Sequence, residues 1–273
     1  MRRLSTAVLA ASLLVSAPSA LRAADSGPEA MAAHRAAYKL TLDRSRDNAI
    51  ARAEGLMVYE VVDACDGWAT RQRFSLVLTD RDGQVVESAS DYSTYETKDG
   101  RKIRFSLTQT SQGAVSQRVS GEAEVAPDGG GRVRYADPEQ KEEALPPGTL
   151  LPMLHTIRAL AAARSGSRML VTPLFDGTSP DGAQDTTTVI SGWQNAQTNA
   201  RFPALSTLGS ARMRVAFFDR GNDAKNGGGA SAPDYEVGLR YFENGVADDL
   251  KMEFGDFSVN GRMEELAILP GGC

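Results

Sequence analysis

The two cysteines are the residues of this sequence whose chemistry is easiest to place. Cys65 lies early in the chain and Cys273 is its last residue. In an exported protein an even number of cysteines favours a disulfide bond. An intramolecular Cys65–Cys273 bond would close a loop of roughly 200 residues, worth about 5 kcal/mol as an upper figure. Two unrelated thiols, or an intermolecular bond from Cys273, are the alternatives.

The two histidines, His34 and His155, offer little for acid–base or metal chemistry. His155 follows Leu154 on a predicted helix, where an isolated histidine is more often a structural side chain than a base. His34 is expected in the frayed start of the mature chain. Neither histidine has a second one four residues away, and both cysteines are assigned to the disulfide. The sequence therefore predicts no zinc site.

Acidic turns suggest calcium binding, but hairpin turns explain them better. The runs Asp80–Gly83 and Asp219–Asp223 lack the full spacing of a calcium loop, and Asp-Gly is a common turn sequence. Asp63 and Asp66 flank Cys65, and we assign them to a turn between two strands, where Trp68 can cover the disulfide. A structural role is expected for this group.

Motifs of established enzyme classes are missing from the sequence. It has no Gly-x-Ser-x-Gly elbow, no Cys-His pair suited to acyl transfer, no phosphate-binding Gly-x-x-x-x-Gly-Lys loop and no dinucleotide fingerprint. We therefore predict no catalytic residue, no cofactor and no metal, and a protein that is not an enzyme. A catalytic set assembled only in space would escape this test.

The first residues have the three parts of a secretory signal: Arg2 and Arg3, an apolar stretch from Leu4 to Ala17, and small residues up to Ala24. We predict a signal peptide over 1–24 and a soluble periplasmic product over 25–273. No later segment offers the roughly 18 apolar residues of a membrane span. Removing the signal makes the net charge more negative than −5, which argues against nucleic acid as a partner.

Alternation of apolar and polar residues predicts antiparallel strands with one buried face. Examples are Tyr38, Leu40 and Leu42, then Ile103, Phe105 and Leu107, and later Met213, Val215 and Phe217, followed by Tyr235, Val237, Leu239 and Tyr241. We count roughly 14 strands and predict an all-β meander in a single domain. A phase change suggests a β-bulge near Gly255-Asp256, and the glycine-rich stretch 226–232 is predicted to form a hairpin tip.

One segment, 149–164, has helical periodicity in Leu150, Leu154, Ile157 and Ala161. Thr149 is predicted to cap its start and Gly166 to end it. The helix separates front strands, about 35–136, from rear strands, about 167–270. We interpret it as a plug or brace between two curved half-sheets. A linker between separate domains is the alternative.

The stretch 59–70, with Cys65-Asp66-Gly67-Trp68 at its centre, resembles the EipB family of alphaproteobacterial cell-envelope-integrity proteins, a domain of unknown function. The similarity extends over nearly the whole mature chain. Its further elements are Asp91-Tyr92-Ser93-Thr94-Tyr95-Glu96, Leu145-Pro146-Pro147-Gly148-Thr149, Phe175-Asp176-Gly177 and the terminal Cys273.

The resemblance implies a periplasmic β-spiral, an open barrel-like wrap of about 14 antiparallel strands, with the Cys65–Cys273 disulfide as a hallmark. It also implies a role in envelope integrity and an association with a periplasmic tetratricopeptide-repeat protein. An open spiral would leave the front and rear strands without continuous pairing, so the disulfide is expected to clasp the two halves.

Three functions are compatible with these features. The first is a monomeric, non-enzymatic protein that supports the envelope through protein contacts or by holding an apolar ligand. The second is a carrier of lipid or lipoprotein acyl chains, which requires an apolar concave face that the helix leaves unfilled. The third is an envelope hydrolase or transpeptidase with an unrecognised site, which requires a titratable cluster in a cleft.

Overall fold

The computed structural model describes residues 31–128, 130–220 and 232–271. The predicted signal sequence 1–24, most of the glycine-rich stretch 226–232, the end of the run Asp219–Asp223, and Cys273 lie outside these residues. Among the described residues, no helix combines the length and the apolar character needed to cross a membrane.

The described chain forms one antiparallel sheet of fourteen strands and one α-helix. The front strands are β1 His34–Ser45, β2 Ile50–Asp63, β3 Gly67–Asp80, β4 Val85–Thr97, β5 Lys102–Ser111, β6 Ala114–Val125, β7 Gly131–Asp137 and β8 Lys141–Leu145. After helix α1, Pro152–Arg164, come β9 Met169–Leu174, β10 Gln184–Gln194, β11 Ser210–Phe218, β12 Tyr235–Phe242, β13 Ala247–Glu253 and β14 Phe257–Ile268. Short 3-10 turns occupy Arg46–Asn48 and Pro203–Leu205. The predicted antiparallel wrap is confirmed.

The sheet is continuous through its first and last strands. Its order is β8-β7-β6-β5-β4-β3-β2-β1-β14-β13-β12-β11-β10-β9. Strands β1 and β14 pair from His34–Ile268 to Ser45–Phe257. The expectation that the two halves lack continuous pairing is therefore wrong, because two meanders of hairpins leave the first and last strands side by side. The sheet ends at β8 and β9, and Leu150, which follows β8 in the chain, forms an isolated parallel bridge with Leu174 of β9.

The predicted alternation is clearest on β5. On β5, Ile103, Phe105 and Leu107 are buried while the residues between them are exposed. Neighbouring backbones approach closely at several strand glycines, of which Gly55 and Gly121 are examples. A Cβ at Gly55 would collide with the carbonyl oxygen of Ser75, and one at Gly121 with that of Arg134. Glycine is needed at such close approaches.

Two local predictions are wrong. Gly255 and Asp256 form the turn of the β13–β14 hairpin, with Gly255 at φ 81°, and not a bulge within one strand. Helix α1 begins at Pro152, three residues after the predicted start, and Leu151 at the N-cap position provides no side-chain hydrogen bond. Thr149 donates its hydroxyl to Pro146 O at 2.6 Å instead.

Helix α1 lies inside the wrap, as the plug interpretation requires. Its buried residues are Met153, His155, Ile157, Ala159, Leu160 and Ala163. They lie around much of the helix circumference, which is typical of an enclosed helix and not of a surface one. The helix ends at Arg164, as predicted, and Gly166 just beyond its C-cap adopts φ 84°.

Candidate functional site

The interior of the wrap has two parts that are occupied differently. The filled half is the space under β5–β8, into which the segment 175–183 folds. The cavity half is the space enclosed by β1–β3, β12, β13 and helix α1. Separate clusters of buried apolar side chains mark the two halves. Their contents decide where a ligand can bind.

An aromatic trio occupies the filled half. Phe175 is fully buried, and its ring centroid lies 5.3 Å from that of Phe105 and 6.4 Å from that of Tyr135, in edge-to-face contacts. Gly177 adopts φ 75°, and a Cβ there would overlap the Phe105 ring. The segment after β9 therefore packs directly against β5.

Tyrosine hydroxyls fasten this segment to the sheet. Tyr92 donates to Asp176 O, and Tyr135 donates to Ser179 O at 3.2 Å. The Tyr135 hydroxyl also accepts from Gly182 N at 2.9 Å. Each buried hydroxyl has a partner within the chain, as buried polar groups require.

The cavity half contains a cavity of about 220 Å³. Its wall is mainly apolar and aromatic, and it includes Tyr235, Val237, Leu239 and Tyr241 at alternate positions of β12. These four positions extend about 20 Å along the strand. The lining therefore extends along most of β12, and we refer to this cavity as the channel. The other lining residues are Met31, Ala32, His34, Tyr38, Met57, Tyr59, Val61, Gln72, Met153, Thr156, Asn244, Gly245, Ala247, Leu250 and Met252.

Neutral polar groups also lie in the wall of the cavity. Tyr38 donates its hydroxyl to Ala247 O at 2.7 Å, and the Thr156 hydroxyl oxygen lies 3.5 Å from that of Tyr241. Burial raises the pKa values of Tyr38, Tyr59, Tyr235 and Tyr241. All four tyrosines therefore remain protonated at neutral pH.

His34 is the most unusual polar group of the cavity. It is only 2 % exposed, and its Nδ1 lies 2.8 Å from Ala32 O. A carbonyl oxygen accepts only, so Nδ1 must carry a proton and donate it. Burial lowers the pKa of His34, with the Ala32 hydrogen bond opposing the shift. The neutral ring then presents Nε2 as an acceptor, and Nε2 is buried without a hydrogen-bond partner in the described chain.

The expectation that His34 lies in a frayed terminus is therefore wrong. It is the first residue of β1, pairs with Val61 of β2, and has its ring centroid 5.7 Å from that of Tyr59. Its position alternates correctly with buried Ala36, Tyr38 and Leu40, a sequence signal that could have placed it in a strand.

Half-buried aromatic rings adjoin the other end of the channel. Tyr235 of the cavity wall lies 5.8 Å from Phe217 and 5.3 Å from Phe254, and Phe254 stacks on Phe257 at 5.0 Å, measured between ring centroids. All four rings retain partial exposure. An apolar surface therefore continues from the cavity to solvent.

A buried carboxylate holds the helix that closes the cavity. Glu96 of β4 is 1 % exposed and accepts from Met153 N at 2.8 Å and Leu154 N at 3.0 Å. It satisfies the helix N-terminus in place of the predicted Thr149 cap. Burial raises the pKa of Glu96 to about 7, although the two backbone donors act in the opposite direction.

Other predicted residues lie away from the cavity. His155 is buried against β10, with Nε2 3.1 Å from Thr188 Oγ1, and burial lowers its pKa to about 4. Asp63 and Asp66 flank the β2–β3 turn as predicted, where Asp63 accepts from Cys65 N at 2.9 Å and pairs with Lys98 at 2.7 Å. Trp68 beside this turn is buried, with Lys98 Nζ 4.9 Å from its ring centroid.

The described residues contain no cluster of three or more metal-ligating side chains. The run Asp80–Gly83 forms the turn between β3 and β4, with Gly83 at φ 81°. The hairpin interpretation of this run is confirmed.

A family model described as EipB-like matches residues 25–270. The chain belongs to the EipB-like family. A relative named cell envelope integrity protein EipB, from Brucella abortus, is 30 % identical over 245 residues, which cover 88 % of this chain and 85 % of the relative. A crystal structure of a beta-barrel-like protein of domain of unknown function DUF1849, also from Brucella abortus, is 28 % identical with a TM-score of 0.77 and covers 88 % of this chain and 99 % of that one.

In this EipB-like chain, the motifs that carried the sequence resemblance meet in space. Tyr92 and Glu96 belong to one motif; Tyr92 bonds the Phe175-Asp176-Gly177 motif, and Glu96 caps the helix that follows the Leu145–Thr149 motif. These motifs therefore assemble the filled half and fix the helix, whereas the cavity wall comes mostly from other residues.

Proposed function

We propose that this chain is an exported, periplasmic, non-enzymatic protein that supports cell-envelope integrity by holding an apolar molecule in the cavity half. The observation that carries the proposal is the mostly apolar cavity of about 220 Å³ between β12 and β1–β3. Ligand sites are typically concave and apolar with a few placed polar groups, and this cavity has that composition. The name of the Brucella abortus relative supports the cellular role.

The size of the cavity favours one short apolar chain over a complete lipoprotein anchor. Its volume lies below the roughly 300–1,000 Å³ of sites for drug-sized ligands. Met153 and Thr156 of helix α1 line it, so the helix occupies space that a larger cargo would need. The lipoprotein-carrier hypothesis is correspondingly less favoured.

The edge of the sheet favours protein contacts as a second function. On the outer face, Met169 and Val171 of the edge strand β9 are 58 % and 64 % exposed, and Val189 of the neighbouring β10 is 51 % exposed. Adjacent exposed apolar side chains on a free strand edge are typical of an interaction surface. Association with a tetratricopeptide-repeat protein stays a prediction, as does the monomeric state.

We also propose the Cys65–Cys273 disulfide. Cys65 lies in the β2–β3 turn, and β14 ends at Ile268 opposite His34, which in turn faces Val61 of β2. Leu269 N then donates to Ala33 O at 2.8 Å, which keeps the chain beside β1. Only β1 separates β14 from β2, a distance of about 10 Å that the last residues can span. Thiol titration of unfolded, unreduced protein should find no free thiol; two would refute the bond.

Filling the cavity tests the ligand-binding function. Val237→Phe places a larger side chain in the cavity wall, and Val189→Phe makes the same change on the outer face of β10 as a matched control. Native mass spectrometry of protein purified from the periplasm should detect a bound apolar molecule in the wild type and the control, and not in Val237→Phe.

The same variants should be compared in a deletion strain challenged with detergent. Val189→Phe is expected to restore resistance and Val237→Phe is not. Full rescue by a folded Val237→Phe protein would contradict the proposal, and rescue that fails only with Val189→Phe would favour the protein-contact function.

A further inference from the structure

We infer that the cavity selects an uncharged amphiphile whose polar end donates a hydrogen bond to His34 Nε2 while its alkyl chain lies along β12. This inference rests on the proposed ligand-binding function and names the chemical class of the ligand. A fatty alcohol or a primary fatty amide has the required groups, whereas a fatty carboxylate does not.

The hydrogen bonds of His34 show which ring nitrogen is available as an acceptor. Its Nδ1 donates to Ala32 O, which leaves the neutral ring with Nε2 as an acceptor. Nε2 is buried and has no partner among the described residues, although His34 lines the cavity. A buried acceptor without a partner costs about 1–3 kcal/mol. A ligand hydroxyl or amide N–H that reaches Nε2 from the cavity removes that cost, and it must displace the side chains that cover this atom.

The surroundings of His34 define a polar end of the channel. Asn244 and Gln72 line the cavity with His34, and Asn244 O accepts from Ala32 N at 2.9 Å beside it. Tyr59, whose ring contacts that of His34, pairs directly with Gln72 across β2 and β3. Amide and hydroxyl groups around the acceptor suit a small neutral head group.

The opposite end of the channel is apolar. Val237, Met252 and Met57 line it and lead to the half-buried aromatic rings around Tyr235. An alkyl chain that starts at His34 therefore runs along β12 towards Tyr235 without meeting a charged group of the described lining.

Charge distribution excludes an anionic head group. None of the described lining residues is Lys, Arg, Asp or Glu. Ionisable carboxyl groups act on tyrosines of the lining: Asp248 acts on Tyr38, and Glu96 acts on Tyr59. A buried carboxylate without a cation or sufficient hydrogen bonds is strongly unfavourable. Octanoate should therefore bind far more weakly than a neutral ligand of the same length.

Three ligands of nearly equal size test the inference by calorimetric titration of the full mature protein at pH 8. 1-Octanol donates a hydrogen bond, heptyl methyl ether has the same number of heavy atoms but only accepts, and octanoate is charged. We expect 1-octanol to bind about three to ten times more tightly than the ether, the range for one hydrogen bond, and octanoate at least about ten times more weakly than 1-octanol.

Histidine variants identify the acceptor. His34→Phe should reduce the alcohol-to-ether affinity ratio to about one, whereas His155→Phe, at a buried histidine outside the cavity, should leave the ratio unchanged. Circular dichroism verifies that each variant is folded. If His34→Phe does not fold, the order of the three ligand affinities measured with the wild type still decides whether the site selects a neutral hydrogen-bond donor.

The outcomes separate this inference from the function on which it rests. Equal affinity for alcohol and ether, or tightest binding of octanoate, would overturn the neutral-donor specificity and leave ligand binding intact. If none of the three ligands binds, both the specificity and the proposed ligand-binding function fail.

Discussion

The filled half and the cavity half belong to the same curved sheet, yet they differ in how completely their buried polar groups are satisfied. In the filled half, Tyr92 and Tyr135 direct their hydroxyls to the segment 175–183, and every such bond is internal. In the cavity half, His34 Nε2 is buried without a partner beside a cavity of about 220 Å³. A well-packed region with satisfied polar groups supports the fold, whereas an incompletely filled region with an unsatisfied acceptor is suited to binding.

The proposed Cys65–Cys273 disulfide is expected to have the largest effect on stability, and it concerns the strands around the cavity half. Cys65→Ala should lower the free energy of unfolding by up to about 5 kcal/mol, while the β1–β14 pairing keeps the fold recognisable. Thermal unfolding of oxidised wild type and variant, each with and without reductant, measures this. Equal melting temperatures would contradict the bond.

Matched leucine truncations compare the packing of the two halves. Leu107 on β5 is 3 % exposed in the filled half, and Leu239 on β12 is 8 % exposed in the cavity wall. We expect Leu107→Ala to destabilise by about 4 kcal/mol and Leu239→Ala by about 2 kcal/mol. The smaller value reflects contacts that Leu239 already lacks on its cavity side. If urea unfolding shows that both variants lose the same free energy of unfolding, the two halves do not differ in packing.

Glu96 holds the N-terminus of helix α1 between the two halves. Its raised pKa predicts that the free energy of unfolding depends on pH. Burial raises its pKa from 4.5 to about 7, so between these values the folded state binds more protons than the unfolded state. The free energy of unfolding should therefore fall by up to about 3 kcal/mol as pH rises through this window.

Glu96→Gln should remove that pH dependence, and Glu87→Gln, at an exposed position of the same strand, should retain it. Urea unfolding at a series of pH values provides the comparison. If the free energy of unfolding of Glu96→Gln depends on pH as it does in the wild type, another group is responsible for the dependence.

The smallest change in stability is expected from a valine-to-phenylalanine substitution made once in each half. The comparison distinguishes a filled space from an unfilled one. Val133 on β7 is fully buried in the filled half, where Val133→Phe should cost about 1–3 kcal/mol through overpacking. Val237→Phe points into the cavity and should change stability by less than about 1 kcal/mol. A similar large loss in both variants would show that the cavity half is as tightly packed as the filled half.

Several elements were predictable because local chemistry decides them. The alternation in Ile103, Phe105 and Leu107 specified which face of β5 is buried, and Gly166 marked the end of the helix. The helix start was not predictable in the same way. Glu96, which replaces Thr149 as the cap, lies more than fifty residues earlier in the chain.

The cavity illustrates the same limit. Tyr235, Val237, Leu239 and Tyr241 were assigned to one strand face from their spacing, but spacing does not tell whether a face packs against protein or lines a cavity. His34 was misplaced because a lone histidine near a terminus predicted to be processed has no local pattern as strong as an apolar repeat. Its role became visible only with the Ala32 hydrogen bond and its Tyr59 contact.

The sequence by itself determined the class of fold, the approximate number of strands, the single helix and the family, because alternation, turn residues and motifs are local properties of the chain. Only the tertiary structure decided that β1 and β14 make the sheet continuous, that the segment 175–183 fills one half, and that the other half retains a cavity. These features depend on contacts between residues far apart in the chain, and on the volume that remains after packing, which no local pattern records.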